Sequence, residues 1–138
     1  MTPVLVDTGF LVSVYDRREP PHKVCLRLHE ELANPLVTCE PVIAEALYLL
    51  KLLPAAQRNI LASIDQGILE VPFRLADSAE KVRAIMEKYC DTPASFADAC
   101  LIQMADELGT GDILTLDSDF RHYRWRKTRH FNLLIPLE

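Results

Sequence analysis

Short apolar segments alternate with longer segments of helical periodicity along this 138-residue chain. This order is typical of a parallel sheet covered by helices, because parallel strands are joined by crossovers that are usually helical. Strands are predicted at residues 4–6, 36–38, 68–71, 113–116 and 132–135. We find no linker or repeat, and therefore expect one α/β domain over residues 1–138, with a central parallel β-sheet of about five strands flanked by α-helices.

Prolines and glycines predict where the helices begin and end. Thr92 is predicted as the N-cap of the last long helix, with Pro93 at its first position, and this helix ends near Gly109. The four-residue spacing of Val24, Leu28 and Leu32 predicts an earlier helix that starts after Pro20–Pro21. Further helices are predicted at about residues 10–16, 41–53, 54–67 and 79–90.

The charge of the chain is unevenly distributed. With 15 Lys and Arg against 20 Asp and Glu, the formal net charge is −5, which argues against a protein that coats nucleic acid by bulk charge. Residues 121–130 nevertheless contain five Lys and Arg and no acid. The rest of the chain is therefore strongly acidic, and the positions of its carboxylates become the main indication of function.

Cysteine usage and hydropathy point to a soluble, cytoplasmic protein. The four cysteines show neither a Cys-x-x-Cys motif nor zinc-finger spacing, so we expect mostly buried, reduced thiols. The N-terminus lacks the basic region of a signal peptide. The longest apolar stretch, at residues 42–53, contains two charged residues and is too short to cross a bilayer.

Two aspartates directly follow predicted strands. Asp7 comes after residues 4–6, and Asp117 comes after residues 113–116, with Asp119 two positions later. In an open parallel sheet, ligands bind at the edge formed by the carboxyl ends of the strands. Each of these aspartates can instead be the N-cap of the element that follows it. Both interpretations stay open for each residue taken alone.

Two further acids lie in segments that are otherwise apolar. Glu45 is surrounded by Val, Ile, Ala and Leu, which leaves little polar face for a surface glutamate. Asp98 has similar neighbours, although it could also form a capping pair with Ser95 in the first helical turn. If Thr92 is the N-cap, as Pro93 suggests, Asp98 lies further inside the helix and the capping interpretation weakens.

Taken together, these four carboxylates predict a cation site. At about 5 Å and an effective dielectric near 20, each like-charge pair costs roughly 3 kcal/mol, and no Lys or Arg neighbours Glu45 or Asp98 in the sequence. Either some of the carboxyl groups are protonated or a cation lies among them. A set of carboxylates without thiolate or imidazole is what Mg²⁺ or Mn²⁺ selects.

At this point four short motifs, in this order, resemble the PIN domain, and within it the VapC-like ribonuclease toxins of prokaryotic toxin–antitoxin pairs. The resemblance covers essentially the whole chain. The motifs are Val-Leu-Val-Asp-Thr at 4–8, Pro-Val-Ile-Ala-Glu at 41–45, Phe-Ala-Asp-Ala at 96–99 and Thr-Leu-Asp-Ser-Asp-Phe at 115–120. Gly9 departs from the pattern, since many members have Ser or Asn there.

The resemblance implies both a site and a function. It implies that a catalytic metal site is formed by Asp7, Glu45, Asp98 and Asp117, with Asp119 as a possible extra ligand. The implied activity is Mg²⁺- or Mn²⁺-dependent hydrolysis of RNA phosphodiester bonds. The implied partners are an RNA substrate, a cognate antitoxin and a second copy of the chain, since members are frequently homodimers.

Other residues are candidates for supporting roles. Thr8 and Thr115 lie beside strand ends, where their hydroxyls could hold the ligands, although local hydrogen bonding is the more common role. The basic segment could bind phosphates and stack on unpaired bases. It could also be a solvated loop or an antitoxin-binding edge. The predicted RNA-binding residues are Arg121, Arg124, Trp125 and Arg126, with Lys127 and Arg129 as further phosphate-pairing residues and Tyr123 as a second stacking residue.

Two alternative functions remain at this stage. One is a catalytically inactive PIN-like interaction module, in which the apolar helix at residues 42–53 binds a partner. The other is an acidic phospho-acceptor domain that binds Mg²⁺. The second alternative requires an acidic pair after the first strand and a lysine after a late strand. Here a single Asp7 follows the first strand, and the five lysines are not placed for that role.

Overall fold

A computed structural model describes residues 1–136, so the last two residues of the predicted domain, 137–138, lie outside the described residues. The strands are β1 (Val4–Val6), β2 (Leu36–Val37), β3 (Leu69–Glu70), β4 (Asp112–Leu114), β5 (Arg124–Trp125), β6 (Arg129–His130) and β7 (Asn132–Leu133). Five of them form a parallel sheet in the order β3-β2-β1-β4-β7, and β5 and β6 form a separate antiparallel hairpin. The predicted parallel sheet is confirmed.

Helices cover the sheet. They are α1 (Thr8–Tyr15), α2 (His22–Glu31), α3 (Glu40–Leu49), α4 (Pro54–Asp65), α5 (Leu75–Lys88) and α6 (Phe96–Leu108), and a short 3₁₀ helix spans Ser118–Arg121. Each predicted helix is present, with ends that differ by a few residues. Within residues 1–136, none of these helices is long and apolar enough to cross a membrane.

The centre of the sheet is β1, which pairs with β2 on one side and β4 on the other. Its side chains Val4, Leu5 and Val6 are at most 1% exposed. A strand covered by helices on both faces needs apolar residues at every position, which explains the unbroken apolar run. Because β1 is central, the residue that follows it lies in the middle of the carboxyl edge of the sheet.

The register of β1 and β4 fixes which residues meet at this edge. Val6 is paired with Leu114, and the backbone N–H of Asp7 donates to the carbonyl of Leu114 at 3.0 Å. The next residue along β4 is Thr115. The Asp7 and Thr115 side chains therefore project from adjacent strand ends.

The start of α6 corrects one prediction. Ser95, not Thr92, is the N-cap: its Oγ accepts a hydrogen bond from the backbone N–H of Asp98, and the Asp98 carboxylate accepts one from the backbone N–H of Ser95. This reciprocal capping box satisfies two N–H groups at once. The residue three positions after Thr92 is Ser95, which has no carboxylate to complete a capping box with Thr92. Because the helix begins at Phe96, Pro93 lies before the helix rather than in its first turn.

The basic segment also differs from a simple loop. Residues 124–130 form the β5–β6 hairpin, and the indole of Trp125 is only 8% exposed. Its N–H donates to the backbone carbonyl of His130 at 3.0 Å. Trp125 packs on Gly111, where an added Cβ would lie 2.1 Å from the indole nitrogen. The hairpin is therefore anchored to the domain through its tryptophan.

The cysteines agree with the expectation of mostly buried thiols. All four are free, and three of them are buried: Cys25, Cys39 and Cys100. Cys90 is exposed.

Candidate metal centre

Three aspartates from separate segments meet at the carboxyl edge of the sheet. Asp7 follows β1, Asp117 precedes the 3₁₀ helix after β4, and Asp98 lies in the first turn of α6. One carboxylate oxygen of each lies within 4.8 Å of an oxygen of each of the others. The structure thus brings together three of the four carboxylates that the sequence predicts to converge.

Asp7 is both a helix cap and a member of this cluster. Its Oδ1 accepts a hydrogen bond from the backbone N–H of Thr8 at 2.7 Å, which caps α1. Its Oδ2 accepts one from the Thr115 hydroxyl at 2.7 Å. Burial raises the pKa of Asp7 to about 6, although these two hydrogen bonds oppose the shift and the neighbouring Asp98 and Asp117 add to it. The two interpretations of Asp7 as a cap and as a site residue are therefore compatible.

Asp98 is likewise a capping residue whose carboxylate faces the cluster. Its Oδ2 accepts hydrogen bonds from the backbone N–H of Ser95 at 3.2 Å and from the hydroxyl of Tyr123 at 3.3 Å. Burial raises the pKa of Asp98, the charge of Asp117 raises it further, and the hydrogen bonds lower it. The carboxyl group is therefore held in an environment that disfavours its charge unless a cation is present.

Asp117 is positioned by its neighbours in the loop after β4. Its backbone N–H donates to Oγ1 of Thr115 at 3.0 Å, and its Oδ1 accepts from the backbone N–H of Asp119 at 2.9 Å. The carboxylate of Asp119 does not join the cluster of described acidic groups. Asp119 thus contacts the site through its backbone, and its predicted role as an extra ligand receives no geometric support.

Glu45 reaches the same region from α3. Its Oε2 accepts a hydrogen bond from the Thr8 hydroxyl at 3.0 Å, so the residue after Asp7 connects the two acids. Glu45 is exposed and lies outside the tight three-aspartate cluster. The helix offers little polar face, as the sequence indicates, but Glu45 lies on its solvent-exposed side, where Tyr48 and Leu49 are 65% and 60% exposed.

The four carboxylates surround a single open cavity of about 570 Å³. Its remaining walls are formed by small, hydroxyl or apolar residues. No Cys, His or Lys is among the residues that line it, which are Asp7, Thr8, Gly9, Glu45, Ser95, Asp98, Leu116, Asp117 and Ser118. A Cβ added at Gly9 would meet Leu116 at 3.7 Å, an ordinary contact, so the glycine is not required by lack of space.

The donor set fits a hard divalent cation. Mg²⁺ binds oxygen at about 2.0–2.1 Å in an octahedron, so its ligand atoms lie roughly 3 to 4.2 Å apart. The 4.8 Å limit on the three carboxylate oxygens is close to that spread. Ion pairs within residues 1–136 form elsewhere, on Asp16, Asp77, Glu80 and Glu87. The carboxylates in the cavity are thus left without an ion-paired Lys or Arg among these residues.

Sequence reasoning missed one part of the site. Tyr123, predicted to stack on bases, is completely buried, and its hydroxyl donates to Asp98. Burial and the neighbouring Asp98 carboxylate raise the pKa of Tyr123 above its usual value, so the hydroxyl stays protonated. The alternation of Tyr123 and Trp125 with Arg124 and Arg126 could have indicated that the aromatic side chains point inward.

Comparison with known families identifies the chain. Residues 4–126 match the family model described as PIN domain. The chain belongs to the PIN domain family. The resemblance that the four motifs indicate is thereby confirmed, and the match ends within the basic hairpin. The acidic phospho-acceptor alternative is disfavoured, since that fold family is a different one.

Two known proteins are similar to this PIN domain. Ribonuclease VapC26 of Mycobacterium tuberculosis (strain ATCC 25618 / H37Rv) is 30% identical over 136 residues, which cover 97% of this chain and 93% of that protein. The crystal structure of VapC20 of Mycobacterium tuberculosis, described as a Sarcin-Ricin loop cleaving toxin, superimposes with a TM-score of 0.77. It is 22% identical and covers 91% of this chain and 98% of its own. This second likeness supports the fold.

The predicted RNA-binding residues of this PIN domain have unequal access to solvent. Trp125 and Tyr123 are buried, so the predicted stacking of their rings on bases receives no geometric support. Nη1 of Arg124 donates hydrogen bonds to the backbone carbonyls of residues 121, 122 and 123 at 2.8–3.0 Å. Arg126 contacts the backbone carbonyl of Asp106. Arg121 is exposed.

The tip of the hairpin presents cations in an unusual backbone conformation. Arg126 and Lys127 have φ values of 43° and 69°, in the left-handed region that favours glycine. Such a conformation costs roughly 1–2 kcal/mol for a residue with a side chain. Lys127 and Arg129 are exposed, and the Arg129 guanidinium lies 5.3 Å from the centre of the Trp125 ring.

Proposed function

We propose that this PIN domain is a metal-dependent endoribonuclease that hydrolyses RNA phosphodiester bonds, as the toxin of a toxin–antitoxin pair. The observation that carries the proposal is the cluster of Asp7, Asp98 and Asp117 at the edge of a PIN-type sheet. Similarity to Ribonuclease VapC26 supports RNA as the substrate. The proposed cofactor is Mg²⁺ or Mn²⁺, and the proposed location is the cytoplasm.

In this proposal the carboxylates bind the ion and the cavity admits the phosphate. Asp7, Asp98 and Asp117 are the ligands that the cluster offers, and Glu45, held by Thr8, supplies a fourth carboxylate at the cavity wall. The ion would supply a bound water of lowered pKa and positive charge opposite the phosphate. Thr115 positions these ligands by donating to the Asp7 carboxylate and by accepting from the backbone N–H of Asp117.

The side chains in the cavity support attack by water rather than by a protein nucleophile. The Thr8 hydroxyl donates a hydrogen bond to Glu45, and Oγ of Ser95 accepts one from the backbone N–H of Asp98. The hydroxyls that line the cavity, including that of Ser118, have no histidine or lysine among the described lining residues to activate them. Phosphodiester hydrolysis without a covalent intermediate is therefore the proposed reaction.

The β5–β6 hairpin is the proposed binding site for the RNA backbone. A cavity lined by carboxylates repels a polyanion, so binding requires basic residues nearby. Arg121, Arg124 and Arg126 keep their predicted phosphate-binding role in this proposal. Lys127 and Arg129 keep it as well, since both are exposed on the hairpin. Arg126 and Lys127 adopt left-handed backbone conformations at the hairpin tip. Because such conformations are costly for residues with side chains, their presence supports a functional role for these two cations.

A partner protein is proposed for the exposed face of α3. Tyr48 and Leu49 of α3 are 65% and 60% exposed, Leu52 just after the helix is 82% exposed, and a cavity of about 370 Å³ is lined by α3 residues that include Glu45. Neighbouring exposed apolar side chains mark protein-binding surfaces. We assign this face to the antitoxin or to the second copy in a homodimer. Size-exclusion chromatography with light scattering on Leu49→Glu tests whether this face forms a homodimer. Co-purification with the cognate antitoxin tests whether it binds the antitoxin.

RNA cleavage with and without metal tests the proposed function. Purified protein is incubated with mixed single-stranded RNAs in Mg²⁺, in Mn²⁺ and in chelator, alongside Asp7→Asn and Asp98→Asn. Cleavage is expected only with metal, and neither variant should retain it. Asp65→Asn, an exposed aspartate at the end of α4, is the matched control and should cleave as the wild type does.

Each contrary outcome has a distinct meaning. Cleavage that survives chelator, or survives both substitutions, overturns the metal-dependent mechanism. If the wild type binds Mn²⁺ but cleaves none of the RNAs, the chain is better described as the inactive interaction module.

A further inference from the structure

The Asp98 carboxylate has an unusual second donor. Its Oδ2 is bound by the backbone N–H of Ser95, as in any capping box, and also by the phenol hydroxyl of Tyr123 at 3.3 Å. Both donors bind the same oxygen, so within the described residues they restrain rotation of the carboxylate and leave Oδ1 available to a cation. Tyr123 comes from the segment after Asp117, whereas Asp98 lies on α6. The hydrogen bond thus connects the elements that carry two of the three clustered aspartates.

The Tyr123 ring has little freedom to turn away from Asp98. It is completely buried, and it makes edge-on contacts with Phe120 and Tyr89, each with ring centres 5.0 Å apart. Phe120 is itself packed edge-on against Phe131 at 5.3 Å. Edge-on aromatic pairs of this kind favour one orientation of the ring. The hydroxyl is therefore directed by the packing of the ring.

We propose that Tyr123 is a positioning residue for the metal centre, whose hydroxyl fixes the Asp98 carboxylate in the orientation that binds the divalent ion. The inference deepens the proposed function and rests on it for the identity of the ion. Tyr123 itself does not touch the ion or the RNA in this proposal; it acts through Asp98. A phenol is protonated at neutral pH, so it can donate to an ionised carboxylate.

The size of the expected effect follows from the type of hydrogen bond. A hydrogen bond to a charged group contributes more than one between neutral groups, and losing it frees the carboxylate to rotate. Removing the hydroxyl should weaken Mn²⁺ binding by roughly 10- to 100-fold. RNA binding should be unaffected, because the buried hydroxyl cannot reach the substrate.

A matched pair of tyrosines separates this role from plain packing. Tyr123→Phe removes the hydroxyl that binds Asp98. Tyr89→Phe removes a hydroxyl from the ring in contact with it, one that accepts from the backbone N–H of Arg124 at 2.9 Å and does not bind an aspartate of the cluster. Both substitutions delete one oxygen and keep the ring.

The test is Mn²⁺ binding measured by isothermal titration calorimetry, with thermal unfolding in chelator to confirm that both variants fold. Tyr123→Phe should weaken Mn²⁺ binding, whereas Tyr89→Phe should bind as the wild type does. In RNA cleavage, Tyr123→Phe should need more Mn²⁺ for half-maximal rate with an unchanged KM for RNA. A further comparison of Mn²⁺ binding in the Asp98→Asn background should show no additional loss from Tyr123→Phe, because the residue acts through Asp98.

Failure of the inference differs from failure of the proposed function. Unchanged Mn²⁺ binding in Tyr123→Phe, an equal loss in Tyr89→Phe, or no Mn²⁺ binding by the wild type overturns the inference. If the wild type binds Mn²⁺, Tyr123→Phe weakens that binding and no RNA is cleaved, the inference stands and the ribonuclease proposal fails.

Discussion

The buried hydroxyl of Thr115 donates a hydrogen bond to Oδ2 of Asp7 at 2.7 Å, joining residues that are 108 positions apart in the sequence. Oγ1 of Thr115 also accepts from the backbone N–H of Asp117 at 3.0 Å. The parallel register of β1 and β4 makes this possible, because it brings the ends of the two strands side by side. One side chain therefore sets the positions of two of the three clustered aspartates.

We expect Thr115→Val to destabilise the protein by about 1–3 kcal/mol, since it leaves Oδ2 of the buried Asp7 carboxylate and the part-buried backbone N–H of Asp117 without their Thr115 partner. The loss should be larger at pH 7.5 than at pH 5, because the hydrogen bond from Thr115 favours the charged form of Asp7. Urea unfolding at both pH values measures it. Thr38→Val is the control, since Thr38 is equally buried but donates to the carbonyl of Val6 at 2.7 Å. Equal, pH-independent losses in the two variants would contradict the assignment.

The raised pKa of Asp7 predicts a pH dependence of stability in the absence of metal. Asp7 titrates near 6 when folded, against an ordinary value of 3.8. Between these values the folded state holds a proton that the unfolded chain releases, so the free energy of unfolding falls as pH rises from about 4 to about 6. For this one group the fall is at most about 3 kcal/mol. Thermal or urea unfolding in chelator between pH 4.5 and 7.5 measures it.

Asp7→Asn provides the comparison for this pH profile. Without an ionisable group at position 7, the variant should lose stability less steeply as pH rises, with the remaining slope coming from Asp98, whose pKa is also raised by burial. Added Mn²⁺ should stabilise the wild type most above pH 6, where Asp7 is ionised. Identical pH profiles for the wild type and Asp7→Asn would show that the Asp7 pKa is not raised.

The N-terminus of α6 gives a direct test of which residue is the cap. Ser95→Ala removes the oxygen that accepts from the backbone N–H of Asp98, and should cost about 1 kcal/mol of stability. Thr92→Ala should change stability little, because Thr92 lies outside the capping box. Urea unfolding of both variants at pH 7 measures the difference. A larger loss in Thr92→Ala would restore the N-cap predicted from Pro93.

Most of the fold could be predicted because it follows from local patterns. The β1 strand is an unbroken apolar run that Asp7 directly follows, and Asp117 follows the largely apolar segment Ile-Leu-Thr-Leu at 113–116. Convergence of acids from different elements could also be inferred, since parallel strands end at the same edge. These features depend on sequence order and hydropathy, both of which are visible in one chain.

The start of α6 and the burial of the aromatic residues in the basic segment could not be predicted from the sequence, because they depend on three-dimensional contacts. Pro93 and Ser95 offered competing helix starts, and the outcome depended on whether Asp98 could return a hydrogen bond to the backbone of Ser95. The aromatic residues of the basic segment looked suited to base stacking, yet Tyr123 and Trp125 are buried. Whether an aromatic residue in a polar segment points inward depends on the space below it, such as the gap that Gly111 leaves for Trp125.

Gly111 is therefore predicted to be intolerant of substitution. In Gly111→Ala the new Cβ would lie 2.1 Å from the Trp125 indole nitrogen, so the tryptophan and its hairpin must move. Overpacking of this kind typically costs about 1–3 kcal/mol. Gly9→Ala is the control, since its Cβ would make an ordinary contact at 3.7 Å with Leu116.

We expect Gly9→Ala to stabilise α1 by up to about 1 kcal/mol, because alanine has a higher helix propensity than glycine. Trp125 fluorescence during urea unfolding reports both stability and the environment of the indole, since Trp125 is the only tryptophan in the chain. An unshifted emission spectrum and full stability in Gly111→Ala would contradict the packing of Trp125 against Gly111.

The hairpin's role in RNA binding predicts an effect on KM and on its salt dependence. Lys127→Glu combined with Arg129→Glu should raise the KM for single-stranded RNA about tenfold at low salt with little change in kcat, because both residues are exposed on the hairpin. The slope of log KM against log salt concentration should fall by roughly 0.7 for each RNA phosphate that the variant no longer neutralises. The control is Lys23→Glu combined with Lys81→Glu, which changes the net charge equally at exposed positions on α2 and α5. Equal rises in KM for the two double variants would mean that bulk charge, rather than the hairpin, binds the RNA.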